Sequence, residues 1–319
     1  MEETLARFAG RTHHHADFAI PDLLERRAAA GTTVSVVIPA RNEEGRVGRV
    51  AGTLRAALID AVPLVDEIVV VDGDSTDATA AEAEAAGVRV LRQSHILPEA
   101  GTGSGKGEAL WKGLAATTGD LVVFVDADIE DIHARFVTGL LGPLLTDPAV
   151  EFVKATYDRP LRLGDERRPR GGGRVTELLA RPLLATFWPE LSWLAQPLSG
   201  EYAGRRSLLE SLPFVRGYGI ELAMLVDIAD RHGVDVIAQV DLDVRVHDHQ
   251  PLDALGRMAS EILQVALQRL AAQGRMVLTD PPSSLLAQPI RDAAGDLALS
   301  PFEISPSERP PLADWRAAR

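Results

Sequence analysis

From Thr33 onward, short runs of β-branched and aliphatic residues alternate with longer stretches of helical periodicity. The runs at 34–38, 67–71, 88–91, 121–125 and 152–155 predict strands. Between them, 43–61, 77–86, 106–118 and 133–145 predict helices, with Ser75 and Asp77 as N-cap candidates. Strands that are apolar on both faces belong to a parallel sheet covered on each side, so the βα alternation predicts a doubly wound α/β core. Ligands of such sheets bind beyond the carboxyl ends of the strands.

After Asp158 the pattern changes. Residues 162–173 are charged and glycine-rich and predict a loop, and helical periodicity returns at 175–184 and 220–232. A last strand over 234–246 leads to His247, and a long helix follows over 252–272. The chain divides on this reading into an N-terminal extension (1–31), a nucleotide-binding core (32–158), a smaller, mainly helical lobe (159–273) and a C-terminal arm (274–319). The arm carries seven of the 20 prolines, so it is expected to be extended, wrapping a neighbour or lying loose.

Composition narrows the function classes. A 46% hydrophobic and 25% charged chain of 319 residues can bury a sizeable core. Without cysteine there is no disulfide, thiolate metal site or cysteine nucleophile, so any metal takes oxygen or imidazole ligands. A net charge of -13 argues against nonspecific nucleic-acid binding. No apolar run approaches the length of a membrane span and none resembles a leader, which points to the cytoplasm. His13, His14 and His15 lie in the polar extension, and adjacent side chains cannot all converge on one ion, so a solvated run is expected.

The candidate chemistry gathers at the predicted strand ends. Asp126 and Asp128 follow the apolar run 121–125 and, two residues apart, can present both carboxylates on one side. Hard oxygen ligands at that edge suit Mg²⁺ or Mn²⁺ bridging the phosphates of a nucleotide, although an acidic turn before the next helix would have the same composition. Asp72 and Gly73, in Asp72-Gly73-Asp74-Ser75-Thr76-Asp77, could meet a base or ribose, and are equally good turn residues. Pro39-Ala40-Arg41-Asn42-Glu43-Glu44 leaves the first strand toward the same edge.

Gly101-Thr102-Gly103-Ser104-Gly105-Lys106-Gly107 suggests a phosphate-binding loop but departs from the P-loop: Ala100 and Gly107 stand where a glycine and a magnesium-binding hydroxyl belong. Lys106 is therefore assigned to phosphate neutralisation at a helix N-terminus. Gly171-Gly172-Gly173-Arg174-Val175-Thr176 brings amides, a guanidinium and a hydroxyl to another helix start, suited to a phosphate or carboxylate, unless it is a hinge with a solvated arginine. His247 could be a third metal ligand or an ordinary surface histidine.

Taken together, Pro39 to Glu44, Asp72 to Asp77, Gly105-Lys106-Gly107-Glu108-Ala109-Leu110-Trp111, Asp126-Ala127-Asp128, Gly171 to Thr176, Gly200-Glu201-Tyr202 and Gly217-Tyr218-Gly219-Ile220-Glu221 resemble, in order and spacing, the glucosyl-3-phosphoglycerate and mannosyl-3-phosphoglycerate synthases. The resemblance runs from about residue 30 to 270. It implies a GT-A fold, a homodimer, a divalent cation (Mg²⁺ or Mn²⁺), and retaining transfer from an NDP-hexose to the 2-hydroxyl of 3-phosphoglycerate. By the same resemblance Asp128 and His247 are metal ligands, and Asp126 lies on the ribose or metal side. Pro39, Ala40, Glu43 and Gly73 form the nucleoside pocket with Asp72 beside it, and Lys106 faces the donor's phosphates or sugar. Glu221 grips sugar hydroxyls, and Gly173, Arg174, Val175 and Thr176 hold the acceptor. Asp128, Glu221 and Arg174 are the catalytic candidates.

Three departures lie near those sites. Ala127 stands where the glucosyl enzymes have serine, Ser199 precedes Gly200, and Asp248-His249-Gln250 replaces Arg-Asn-Arg. They bear on the choice of hexose and nucleotide. An inverting, lipid-linked relative would carry a membrane-facing segment and a Gln-x-x-Arg-Trp motif, which is absent. A nucleotidyltransferase would have a glycine-rich loop after the first strand, and a nucleotide-sugar sensor would bind without turnover.

Overall fold

The computed structural model describes residues 2–163, 166–168, 172–246, 251–291 and 295–319. In chain order these form α1 (Glu2–Arg11), β1 (Thr12–His14), α2 (Ile20–Ala30), β2 (Val34–Ala40), α3 (Val47–Arg55), β3 (Glu67–Asp72), α4 (Thr79–Ala85), β4 (Arg89–Arg92), α5 (Lys106–Ala116), β5 (Leu121–Phe124), α6 (Arg135–Thr146) and β6 (Phe152–Asp158). The second half adds β7 (Leu161–Leu163), β8 (Glu166–Arg168), α7 (Arg181–Phe187), β9 (Tyr202–Arg205), α8 (Arg206–Glu210), β10 (Phe214–Val215), α9 (Ile220–His232), β11 (Ile237–Val244), α10 (Leu252–Ala272), β12 (Leu285–Arg291), β13 (Leu297–Glu303), β14 (Glu308–Arg309) and α11 (Leu312–Ala317).

The main sheet has eight strands in the order β1-β11-β6-β9-β5-β2-β3-β4, all parallel to their neighbours except β9, which runs antiparallel to β5 and β6. Alternate residues of β2 explain the apolar pattern. Val34, Val36 and Ile38 enter one core and Val37 the other, so both faces of the sheet are covered. The first core packs α3 through Val47, Val50, Ala51 and Leu54, one stripe of a helix. The second holds Trp111, Trp188, Phe214 and α9, tying the second half of the chain to the sheet.

Several expectations are corrected. The helix expected from residue 43 begins at Val47, after a tight turn at Glu43–Val47, and ends in a π turn. Ser75 does not cap α4: its hydroxyl accepts the Asn42 amide, while Asp77 Oδ1 accepts from Thr79 N. β9 was not foreseen, nor β1, which makes part of the N-terminal extension a sheet edge. The C-terminal arm is not loose but folds back on the molecule. β12 and β13 form a hairpin, β14 pairs with β10, and Leu312 is fully buried. The reason is charge: Arg309 reaches the buried Glu108 of α5 with two nitrogens, at 2.7 and 2.6 Å, and a carboxylate buried there needs such a partner. Among the described residues, no helix is long and apolar enough to cross a membrane.

Candidate active site

β2, β3 and β5 end side by side, and β11 ends on the far side of β6. Their carboxyl ends, with the start of α5 and the segments after Gly172 and Arg216, surround a cavity of about 870 Å³. Pro39, Ala40, Glu43, Gly73, Lys106, Asp126, Asp128, Gly173, Arg174, Val175, Thr176 and Glu221 all line it. Residues that the sequence spreads over more than half its length thus face one space, as the sheet-edge rule requires.

One candidate falls elsewhere. Asp72 is fully buried beneath the cavity wall: one oxygen accepts from Ser75 N at 3.1 Å, and the other has no hydrogen-bond partner among the described residues. It holds the turn at Ser75 and does not line the cavity. His247, Gly171 and Asp248-His249-Gln250 lie outside the described residues.

The centre of the cavity is a chain of opposite charges. Lys106 Nζ lies 2.6 Å from Asp126 Oδ1 and 3.0 Å from Glu221 Oε1. Arg245 Nη2 donates to Asp126 Oδ2 at 3.2 Å and to Asp128 Oδ1 at 2.8 Å. Behind it, Arg245 Nε stands 3.1 Å from the buried Glu201 Oε1, an ion pair out of hydrogen-bond alignment. Glu201 accepts from Tyr157 Oη at 2.5 Å, and Tyr157 in turn accepts from Arg159 Nη2 at 2.9 Å.

These neighbours set the protonation states. Burial works to raise the Asp126 carboxyl, but the Lys106 and Arg245 charges outweigh it and hold it at about 2. Burial likewise opposes the Lys106 ammonium, and Asp126 and Glu221 more than offset it, raising its pKa well above the ordinary value. Glu43 is raised by burial and by repulsion from Asp128 and Asp126. Burial is the larger cause, and the repulsion records that three carboxylates face one space.

The donor chemistry of two of them fits a divalent ion. Asp126 and Asp128 are hard oxygen donors whose carboxylates meet at a single guanidinium nitrogen, so one cation can touch both.

Glycines keep the centre open. A Cβ on Gly200 would collide with Asp126 Oδ2 and the Lys106 ammonium, so any larger residue must displace that pair. Gly105 has φ +106° and its Cβ would strike Arg216 O, which fixes the entry to α5. Sequence reasoning did not single out Arg245, Lys154, Tyr157 or the wall formed by Glu303, Ile304, Ser305, Pro306 and Ser307. The only signals were the placement of Arg245 at a strand end and the inclusion of Glu201 in a matching motif. The arm gave none.

The family model of glycosyl transferase family 2 matches residues 35–212. The glucosyl-3-phosphoglycerate synthase of Petrotoga mobilis is 46% identical over 303 residues, covering 95% of this chain and 93% of that one. The crystal structure of mannosyl-3-phosphoglycerate synthase from Rubrobacter xylanophilus superposes with a TM-score of 0.89 at 36% identity, covering 98% of both chains. Glucosyl-3-phosphoglycerate synthase from Mycobacterium tuberculosis, in complex with Mn²⁺, UDP-glucose and phosphoglyceric acid, gives a TM-score of 0.81 at 42% identity over 96% of this chain and 99% of that one. Another structure of that enzyme holds Mg²⁺ and UDP.

Proposed function

Because the chain belongs to the glucosyl-3-phosphoglycerate synthase family of glycosyl transferases, we propose that it transfers glucose from UDP-glucose to the 2-hydroxyl of 3-phosphoglycerate, retaining the α configuration. One observation carries the reading: Lys106, Asp126, Asp128, Glu221, Arg174 and Thr176 all face one cavity. That cavity sits where a doubly wound sheet places a nucleotide.

Pro39, Ala40, Glu43 and Gly73 bind the nucleoside end of the donor at the ends of β2 and β3. Asp126 and Asp128 hold Mg²⁺ or Mn²⁺, with His247 as a further ligand. When bound, that ion supplies Lewis-acid neutralisation of the departing diphosphate. Lys106, at the N-terminus of α5, adds a fixed positive charge beside the leaving group and keeps Glu221 oriented toward the sugar. Gly173, Arg174, Val175 and Thr176 fix the acceptor's charged groups, so that its hydroxyl approaches on the face the diphosphate leaves.

Asp126 and Glu221 are both engaged by Lys106. A carboxylate so paired is a poor nucleophile. Front-side attack within an ion pair therefore fits better than a glycosyl-enzyme intermediate, and a covalent adduct trapped with a slow fluorinated donor would overturn this.

Mannose or a GDP donor is the second reading, favoured by the close superposition on a mannosyl enzyme and by Ala127 in the acidic motif. Offering UDP- and GDP-linked glucose and mannose with 3-phosphoglycerate, with and without Mg²⁺, and assigning the product by NMR decides between them. An inverted product rejects retention, and binding without turnover would make the chain a sensor. The proposal includes a cytoplasmic homodimer, with residues 32–158 serving the donor and 159–273 the acceptor; sedimentation velocity tests the dimer.

A further inference from the structure

We infer that His14, His15 and Asp243 form a second metal site, selective for zinc-class transition ions and separate from the catalytic cation. His14 Nε2 lies 2.9 Å from Asp243 Oδ1, and His15 Nε2 lies 2.7 Å from Asp243 Oδ2. The ligand atoms of the three residues all lie within 4.8 Å of one another, and no other such histidine and carboxylate group occurs among the described residues. Two imidazoles and a carboxylate suit Zn²⁺, Co²⁺ or Ni²⁺ far better than Mg²⁺, which prefers oxygen alone. The side chains are partly open, so an ion can enter and water can complete its shell.

The expectation of a solvated histidine run fails because two strands bring the third ligand in. Parallel pairing sets Thr12, His13 and His14 against Gln239, Val240 and Asp241. The register of β11 against β6 then shifts between Asp241 and Val244, and Asp243 adopts a left-handed φ of +68°. A bulge of this kind re-aims a side chain, and here it turns the Asp243 carboxylate onto both rings. His13 is diverted from the cluster and packs on Phe18.

Loading has a structural consequence. The Ala16 amide donates to His14 Nδ1 at 3.2 Å, so the unloaded ring carries its proton on Nε2. Ligation through Nε2 moves that proton to Nδ1, and the long Ala16 contact is given up. The site would then act as a staple, fixing the three-residue edge strand β1 to the end of β11, two residues before Arg245.

The test uses full-length, untagged protein in saturating Mg²⁺ and UDP, so that the catalytic carboxylates are occupied. Equilibrium dialysis with Zn²⁺ and absorption with Co²⁺ should each show one ion per chain. His14→Ala/His15→Ala should weaken that binding by about tenfold or more. Zn²⁺ should raise the Tm of the wild type and not of the double variant. Asp128→Asn should leave the ion in place. Should the double variant fold poorly, the near-isosteric Asp243→Asn and His15→Gln carry the same comparison. Equal Zn²⁺ binding by wild type and all of these variants, no binding by the wild type, or loss of binding in Asp128→Asn alone would each overturn the assignment.

Discussion

Arg245 Nη2 stands 2.8 Å from Asp128 Oδ1, so the chain's own guanidinium occupies the position where an added cation must compete. Arg245 is 3% exposed and also faces Asp126 and Glu201. Removing it leaves Asp128 and the buried Glu201 without their guanidinium, while Asp126 keeps Lys106. Arg245→Ala is expected to destabilise the metal-free protein by roughly 3 kcal/mol. Mg²⁺ or Mn²⁺ should restore more Tm in the variant than in the wild type. Denaturation scans with and without cation check this; an equal response means that the two cations do not share ligands.

Asp128 is about one-third exposed on its side chain, so the fold depends on it little. Asp128→Asn should keep its Tm within a degree or two while kcat falls roughly 100-fold or more. Cation titrations of activity should shift to higher concentration in the same variant. Full turnover at ordinary Mg²⁺ would remove Asp128 from the metal centre.

Gly200 is the test of the crowded centre. Gly200→Ala drives a methyl group into the Asp126–Lys106 pair, and overpacking of this kind costs about 1 to 3 kcal/mol. The loss of kcat/KM should exceed what that stability change explains, because both displaced groups face the donor. Kinetics at a temperature where the variant is fully folded separates the two effects.

Lys154 gives a pH signature. It is 1% exposed, donates to Ser199 O at 2.7 Å and lies over the Tyr202 ring. Burial, helped by the Lys106 charge, pushes it down to about 7 against the pull of Glu221. The unfolded lysine titrates near about 10.4, so between these values the unfolded chain binds the extra proton and stability rises with pH. Below about 7 the folded protein bears the full cost of charging it. The stability of the wild type relative to Lys154→Met should therefore climb from pH 7 to 10, as urea unfolding will show; a flat difference would mean that Lys154 titrates normally.

Arg309 joins the arm to the catalytic half. Arg309→Ala leaves the fully buried Glu108 with only its longer pairs to Lys112 and Arg216, at 3.6 and 3.4 Å, and should cost roughly 3 kcal/mol. Residues 303–307 of the wall should loosen with it, raising KM more than it lowers kcat. Glu108→Gln in the same background should recover part of the stability, since a neutral amide needs no cation.

Much was readable along the chain because local rules govern it. Apolar runs of strand length separated by helical periods determined a parallel core, since a strand buried on both faces has no polar positions to alternate. The strand ends then pointed to Asp126 and to the segments Pro39 to Glu44 and Asp72 to Asp77, because in this architecture the carboxyl edge is where ligands bind, and a glycine-rich helix start pointed to Lys106. Ordered motifs carried the family and its acceptor segment. What remained out of reach were pairings between distant residues. Arg245 lies 117 positions from Asp128, and Arg309 lies 201 from Glu108. Asp243 meets His14 and His15 only because β1 docks at the sheet edge and β11 bulges beside it. A side chain's own sequence neighbourhood records its periodicity and capping chemistry, whereas the partner that neutralises a buried charge is chosen by packing. The tertiary structure alone decided that Asp72 serves a turn, that the proline-rich arm closes the cavity, and that two adjacent histidines share one carboxylate.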